Sequence, residues 1–302
     1  MTLILAMLLD AAVGEPKALY NRVPHPAVLM GRLIGWADNR FNQGEDRRRN
    51  GIATMLALAI GALILGKLLA AFGPLVEILV LAALLAQRSL VDHVRDVGNA
   101  LRLSEGDGRM MVARIVGRDT SQMDGPAISR AAIESAAENF SDGVIAPIFW
   151  FALMGLPGLL LYKITNTADS MIGYRTERHR DFGWAAARFD DLLNLAPARL
   201  TAVLIALTHQ VFHNWPLLVR DARQHRSPNA GWPEAAMARA LDVALSGPRS
   251  YEGEMRDFPF VNVDGTHAAT PDHIDAACTA LWRVWGVVLG LTLLLSMLAS
   301  VI

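Results

Sequence analysis

Four clusters in this chain have the residue types and spacing for phosphate and cation chemistry. The first runs from Ile128 to Gly143, where Arg130, Glu134, Glu138 and Asp142 recur every four residues. On a helix that spacing forms one polar stripe. Carboxylates stacked four apart repel unless a cation lies between them. The stripe therefore reads as a seat for a metal or other cation, or else as a solvated face with an Arg130–Glu134 pair. It runs directly into an apolar stretch, where exposed charge is costly, and that favours the cation. The second cluster is Asn166-Thr-Ala-Asp169-Ser170. Asn166 and Ser170 share a helix face, and Asp169 offers the hard oxygen that Mg²⁺ prefers; a plain helix cap is the alternative. The third is Arg188-Phe-Asp190-Asp191-Leu-Leu-Asn194, where Asp190 reaches Asn194 four positions on. Paired Asp beside a membrane boundary suits Mg²⁺ and phosphate, although surface Asp pairs are common.

The fourth cluster spans His225 to Glu234 and includes Ser227-Pro-Asn229 and Gly231-Trp232-Pro233. A loop entering a helix N-terminus is a ready anion site, with Arg220, Arg223 and Arg226 nearby, or simply a helix entry. Pro24-His25-Pro26 is a rigid turn that presents a ligand or base if it faces a cavity, and is otherwise a surface turn. His209 and His213, four apart with no third ligand near in sequence, read as helix-packing histidines.

These residues must be positioned by membrane helices. The 302 residues are 53% apolar and only 19% charged, against about 25% charged in a typical soluble chain. That excludes disorder. The single Cys278 excludes a disulfide scaffold and a thiolate zinc site. A net charge of −1 gives no basic field for nucleic acid. Only Lys17, Lys67 and Lys163 are lysines, so arginine carries nearly all the positive charge, a bias that suits bidentate phosphate contacts or reflects genome composition.

The apolar runs predict an all-α polytopic membrane protein, a single integral domain over 1–302. The predicted segments are 52–72, 74–88, 143–162, 200–219 and 284–302, four or five in all, where a span requires about 20 residues. The run Thr2 to Leu9 is too short to span, lacks a signal-peptide pattern and reads as a buried or interfacial segment that delivers Asp10, Gly14 and Glu15. Pro147 and Gly155-Leu-Pro-Gly158 make 143–162 a broken span or a re-entrant pair of half-helices. Re-entry also keeps the arginine-rich loops on one side, as the positive-inside rule requires. The polar segments 89–142, 164–199 and 220–280 then carry the chemistry on the cytoplasmic face.

Taken in order, these residues resemble the adenosylcobinamide-phosphate synthase family (CobD/CbiB). The resemblance rests on Asp10…Gly14-Glu15-Pro16, Pro24-His25-Pro26…Gly31, Val116-Gly117-Arg118-Asp119 and Glu134-Ser-Ala-Ala-Glu138-Asn139…Asp142-Gly143. It continues through Asn166-Thr-Ala-Asp169-Ser-Met-Ile-Gly-Tyr174, Phe182-Gly183…Arg188-Phe-Asp190-Asp191…Asn194, Pro197-Ala-Arg-Leu-Thr201 and Ser227-Pro-Asn-Ala-Gly-Trp-Pro-Glu-Ala-Ala-Met237. The motifs cover about residues 10–260. Glu15, Ala168, His179, Arg239 and Asp242 depart from the usual pattern without removing a motif carboxylate.

The resemblance implies an enzyme of the bacterial cytoplasmic membrane that joins the free propionate of adenosylcobyric acid to aminopropanol phosphate (or aminopropanol). ATP and Mg²⁺ are the implied co-substrate and cofactor. Glu134, Glu138, Asp142, Asp169, Asp190 and Asp191 are then expected to hold Mg²⁺. Arg118, Asp119, Asn166, Arg175 and Arg188 are expected at phosphate and substrate groups, and Asn229 and Trp232 at the substrate entrance. His25 or Glu234 is the expected base. The chain has no Walker A or kinase glycine loop, so the nucleotide site is of another kind. Expected associations are membrane lipid, other late cobalamin enzymes and a homo-oligomer. Two other classes share parts of this pattern: a Mg²⁺-dependent prenyl or phosphoalcohol transferase, and a non-catalytic corrinoid transporter or scaffold.

Overall fold

The computed structural model describes residues 1–251 and 253–299. The first helices are α1 (Thr2–Val13), α2 (Lys17–Tyr20), α3 (Pro26–Phe41), α4 (Arg47–Ala70) and α5 (Pro74–Leu84). Then come α6 (Gln87–Leu103), α7 (Glu105–Val112), α8 (Gly125–Phe140), a π-turn at Ser141–Ile145 and α9 (Ala146–Ile172). The chain closes with α10 (Trp184–Leu193), α11 (Leu195–Thr208), α12 (Trp215–Ala222), α13 (Gly231–Leu241) and α14 (Pro271–Ala299).

Among the described residues, four helical stretches are long and apolar enough to cross a membrane: Arg47–Ala70, Pro74–Leu103, Gly125–Ile172 and Pro271–Leu298. A fifth exists only if α10 and α11, bent by 43°, act as one. The expected segment 200–219 is corrected here. α11 stops at Thr208, Gln210 takes a left-handed φ of 58°, and a short 3₁₀ turn precedes α12. Polar His209 and Gln210 end the helix, and the apolar length lies before them, not after. The last predicted segment starts earlier than expected, within α14, and its final three residues lie outside the described set. The amino-terminal run extends past Leu9 to Val13 and buries Asp10.

The chain divides into two compact units. In the first, formed by residues 1–86 and 142–195, α4 lies along α9 and α1 lies on α5. Helix α9 is not continuous. Gly155 has φ 64° and ψ −151°, a conformation that only glycine adopts without strain, and Pro157 follows it. The chain reverses there. A Cβ on Gly158 would lie 2.4 Å from the Trp150 carbonyl oxygen, and Ala146 packs with Leu161 and Tyr162. These are the contacts of a helical hairpin, with the break where the breakers predict it. Gly66 of α4 meets the bend so closely that a Cβ would stand 2.5 Å from Pro157 backbone.

The second unit, residues 87–141 and 196–302, packs α6, α7, α13 and α14 around α8. α8 buries Ile128, Ala131, Ala132, Ile133, Ala136, Ala137 and Phe140, the all-round burial of a central helix. Its alanines allow close approach. Pro126 in the first turn and Asp124, which accepts the Ala127 N–H at 2.8 Å, set its start. Two short antiparallel pairs add to the helices: β1 (Leu245–Ser246) with β4 (Phe260–Val261), and β2 (Arg249–Tyr251) with β3 (Glu254–Arg256). At two or three residues each, they show no alternation in sequence.

Candidate active site

The hairpin of the first unit brings together residues far apart in sequence. Its first arm starts at the π-turn carrying Asp142, and its return arm carries Tyr162 and Asn166. The Asn166 amide nitrogen donates to Asp142 Oδ2 at 3.4 Å and to Asp190 Oδ1 at 3.3 Å. Asn194 donates to Asp190 Oδ2 at 2.9 Å. The Tyr162 hydroxyl shares its proton between Asn194 Oδ1 at 3.0 Å and the Asp142 carbonyl at 3.1 Å. α10 is fixed to the hairpin by Trp150 Nε1, which donates to the Leu193 carbonyl at 3.1 Å. Two carboxylates thus converge on one neutral amide. π-turns recur at functional sites, and here the turn takes Asp142 off the regular stripe of α8.

Asp191 pairs with Arg188 at 3.5 Å and lies within electrostatic range of Arg175. Asp169 ends α9 with its carbonyl accepting the Gly173 N–H at 2.8 Å. Its carboxylate folds over Gly173, where a Cβ would come within 2.0 Å. His25 caps α3: its Nδ1 accepts the Ala27 N–H at 3.1 Å, and its ring meets Tyr20 edge-on at 4.6 Å. The turn reading of Pro24-His25-Pro26 therefore has a defined local role.

In the second unit, Glu134 is buried and receives three donors. Ser246 N–H reaches Oε1 at 2.8 Å, Arg249 Nη1 reaches Oε2 at 3.1 Å, and Arg118 also pairs with Oε2. The alternative reading, an Arg130–Glu134 pair, is not what forms: Arg130 instead donates to the His267 carbonyl at 2.9 Å. Asp119 accepts the Gly253 N–H and the Ser250 hydroxyl, both at 2.8 Å. Those bonds, the backbone one first, hold its carboxyl below the usual range. Asp119 and Glu134 thus clamp the β2–β3 hairpin from opposite ends of one strand.

Glu234 is also buried, and burial together with the nearby charges of Glu134 and Glu138 pushes its carboxyl well above the usual range. His225 Nε2 stands 3.6 Å from it. Burial lowers the His225 pKa, and its Nδ1 accepts the Ser227 N–H at 3.0 Å. The imidazole is therefore neutral, with its proton on Nε2. Glu234 Oε2 and Arg249 Nε are buried here without a hydrogen-bond partner among the described residues.

The expected anion site at the start of α13 takes a different form. The Ser227 hydroxyl accepts the N–H groups of Asn229 and Ala230, both at 3.2 Å, so a side chain occupies donors that an anion would use. Arg199 holds the rest of this turn, donating to Asn229 Oδ1 at 3.2 Å and lying 4.7 Å over the Trp232 ring.

Of the six carboxylates expected to hold Mg²⁺, Asp142, Asp169, Asp190 and Asp191 belong to the first unit and Glu134 and Glu138 to the second. Among the described residues no group of three or more His, Cys, Asp or Glu side chains is arranged to hold a metal. Glu134 is neutralised by guanidinium groups, and Glu138 is exposed on α8. The pair that suits a hard cation is Asp142 with Asp190, because Mg²⁺ in nucleotide sites commonly takes one or two carboxylates and completes its shell with phosphate and water. Sequence reasoning assigned no site role to Tyr162, Arg199, His225 or Arg249. Asn194 did stand in a motif, four residues after Asp190. No local pattern marks Arg249, whose partner is 115 residues away.

Residues 3–281 match the family model described as CobD/Cbib protein. The chain is 45% identical to the cobalamin biosynthesis protein CobD of Brucella anthropi, over 99% of this chain and 98% of that one. It is 48% identical to the protein of the same name from a Sinorhizobium species, covering 98% of each. The Rhodobacter capsulatus protein of that name is 44% identical, over 98% of this chain and 96% of its own. No solved structure matches.

Proposed function

This chain belongs to the CobD/Cbib family, and we propose that it acts in cobalamin biosynthesis as a membrane-embedded adenosylcobinamide-phosphate synthase. The observation that carries the proposal is end-to-end similarity to proteins named for that pathway. The reaction is an ATP- and Mg²⁺-dependent amide formation between the free propionate of adenosylcobyric acid and the amine of aminopropanol phosphate.

A carboxylate is a poor electrophile. In the proposed sequence its oxygen attacks the γ-phosphorus of ATP, ADP leaves, and an acyl phosphate forms. The amine nitrogen then attacks the acyl carbon, phosphate departs, and the nitrogen loses a proton to a base. Mg²⁺, when bound, neutralises charge on the transferring phosphoryl group.

The residues fit that chemistry. Asp142 and Asp190, held by Asn166 and Asn194, supply hard oxygens for Mg²⁺–nucleotide. Asp169 and Asp191, in the same unit, supply further negative charge. Arg118 and Arg249 place two guanidiniums on one carboxylate, and Arg249 Nε is a buried donor with no hydrogen-bond partner among the described residues. Arg175 and Arg188 flank the acidic cluster of the first unit. Glu234, with its raised pKa, suits a base that must hold a proton near neutral pH. Asn229 and Trp232, fixed by Arg199, line the substrate entrance in this reading. The chain would sit in the bacterial cytoplasmic membrane with its active site toward the cytoplasm.

The test is a mass-spectrometric assay on detergent-purified protein with adenosylcobyric acid, (R)-1-amino-2-propanol phosphate, ATP and Mg²⁺, each omitted in turn. Adenosylcobinamide phosphate formed only when all four are present supports the proposal. Corrinoid binding without product in the complete mixture refutes the catalytic reading.

A further inference from the structure

The first unit contains an apolar cavity that the proposed chemistry does not use. It measures about 480 Å³ and lies among α3, α4 and the return arm of α9. Leu33 and Trp36 of α3, Ala57 and Leu65 of α4, and Leu160 and Ile164 of α9 are among its walls. Apart from Thr54, every lining side chain is apolar. A ligand bearing amides or charges would find almost no hydrogen-bond partner here, so the occupant is hydrocarbon along its length. The α4 wall runs from Thr54 to Leu65, about 16 Å at the helical rise, which is the reach of a long alkyl chain and not of a single ring. At Gly61 the wall is open: a Cβ there would meet nothing within 4 Å.

One end of the cavity is charged. Phe41, at the close of α3, lines it, and the chain passes from there through a short turn to Arg47, Arg48 and Arg49 at the start of α4. Asn50 ties the two helices by donating to the Phe41 carbonyl at 3.0 Å. Arg40 lies 6.0 Å from the Phe41 ring centroid. Four arginines at this end face two acids of the turn, Glu45 and Asp46. Arg49 is paired with Asp46 at 3.6 Å, while Arg40 and Arg47 form no ion pair among the described residues. Arg47 stands seven positions before Thr54, on the same face of α4 as the cavity. The opposite end, near Leu65, has no such cluster.

We propose that this cavity holds one acyl chain of an anionic phospholipid, with the headgroup phosphate at Arg40 and Arg47. An apolar slot opening beside basic residues on a membrane-spanning helix matches the two ends of such a lipid and no polar substrate. Arginines at the cytoplasmic end of a span also face the leaflet where anionic lipids concentrate. The bound chain would fill the space between α3 and α4 and hold α3 against the return arm of the hairpin.

Native mass spectrometry of the purified full chain, titrated with phosphatidylglycerol or phosphatidylcholine of identical acyl chains, tests this. Wild type should bind one phosphatidylglycerol at least about fivefold more tightly than phosphatidylcholine, a differential of roughly 1 kcal/mol. Gly61→Phe should remove the specific adduct by filling the slot. Arg40→Gln with Arg47→Gln should leave one adduct but erase the preference for phosphatidylglycerol. Should Gly61→Phe lose its thermal transition, Gly61→Leu fills the same open space with less volume. An adduct unaffected by filling the slot overturns the proposal. So does equal affinity for the two headgroups in the wild type, or a dimer of this chain that Gly61→Phe dissolves.

Discussion

Changing Glu134 to Gln tests whether the second unit is held by the charge at its centre. The carboxylate uses both oxygens: Oε1 takes the Ser246 N–H, and Oε2 takes Arg118 and Arg249. A glutamine has one acceptor oxygen and one amide donor. Whichever way it turns, its NH₂ faces either the Ser246 N–H or two guanidiniums. The site is nearly closed to water, with side-chain exposure of 3% for Glu134 and 10% for each arginine, so solvent screens little of this. Breaking one partner of a buried ion pair costs about 3–5 kcal/mol. At about 2–4 °C per kcal/mol for a domain of roughly 150–250 residues, the melting midpoint should fall by roughly 10 °C. Tryptophan fluorescence of the detergent-solubilised chain during heating at a fixed scan rate reads this directly. Arg249→Met alone should cost less, because Arg118 still neutralises Glu134. In the double variant the two losses should not add, and the coupling should be about 1–3 kcal/mol. A Glu134→Gln midpoint within a degree of wild type, or strict additivity with Arg249→Met, refutes the reasoning.

Three further outcomes are expected. Asp190→Asn should leave the melting midpoint close to wild type while raising the Mg²⁺ concentration for half-maximal turnover by about 10–100-fold; an unchanged Mg²⁺ dependence removes Asp190 from the metal site. For Glu234, whose folded pKa lies above its unfolded value, the native state binds the extra proton, so its contribution is full below the unfolded pKa and is lost as pH rises toward the folded one. Glu234→Gln should therefore gain stability relative to wild type as pH is raised from 5 to about 8, and parallel pH profiles of unfolding would contradict the burial argument. Gly155→Ala, at φ 64° and ψ −151°, should cost about 1–3 kcal/mol and loosen the hairpin, seen as faster hydrogen exchange in 146–172; unchanged exchange would mean that the bend does not depend on glycine.

Much of the scaffold was legible because its signals are local. Pro126 announces the start of α8, Gly73-Pro74 separates α4 from α5, and Gly155-Leu-Pro-Gly158 marks the break in α9. Each depends on backbone freedom or a missing donor within a few residues. The apolar stretch after Thr201 misled for a related reason: hydropathy counts side chains, whereas Gln210 ends the helix through its backbone. Partners across long loops were not legible. Arg130 stands four residues from Glu134 on one face, yet the carboxylate takes Arg118 and Arg249, reached through a loop and a short hairpin. Strands of two or three residues carry no periodicity to find. The carboxylate-rich motifs identified the right residue types but not their grouping, because grouping depends on where the hairpin turns.

Glu134 and Asp190 differ in how their charge is compensated, and that difference separates their roles. Glu134 is offset by more positive charge than it carries, plus a backbone N–H. A cation approaching it would meet two guanidiniums, so the group is suited to holding the β2–β3 hairpin. Asp190 is also buried, though less completely, and its hydrogen-bond donors are the neutral amides of Asn166 and Asn194. Amides orient a carboxylate without cancelling its charge, and Asn166 brings Asp142 to the same point. A buried acid oriented in this way gains most when a cation arrives, since the ion supplies the charge that burial leaves uncompensated. Environment, not residue type, thus sorts acids that look alike in sequence into an anchor and, in the proposed function, a cation ligand, as it does for paired carboxylates with divided roles elsewhere.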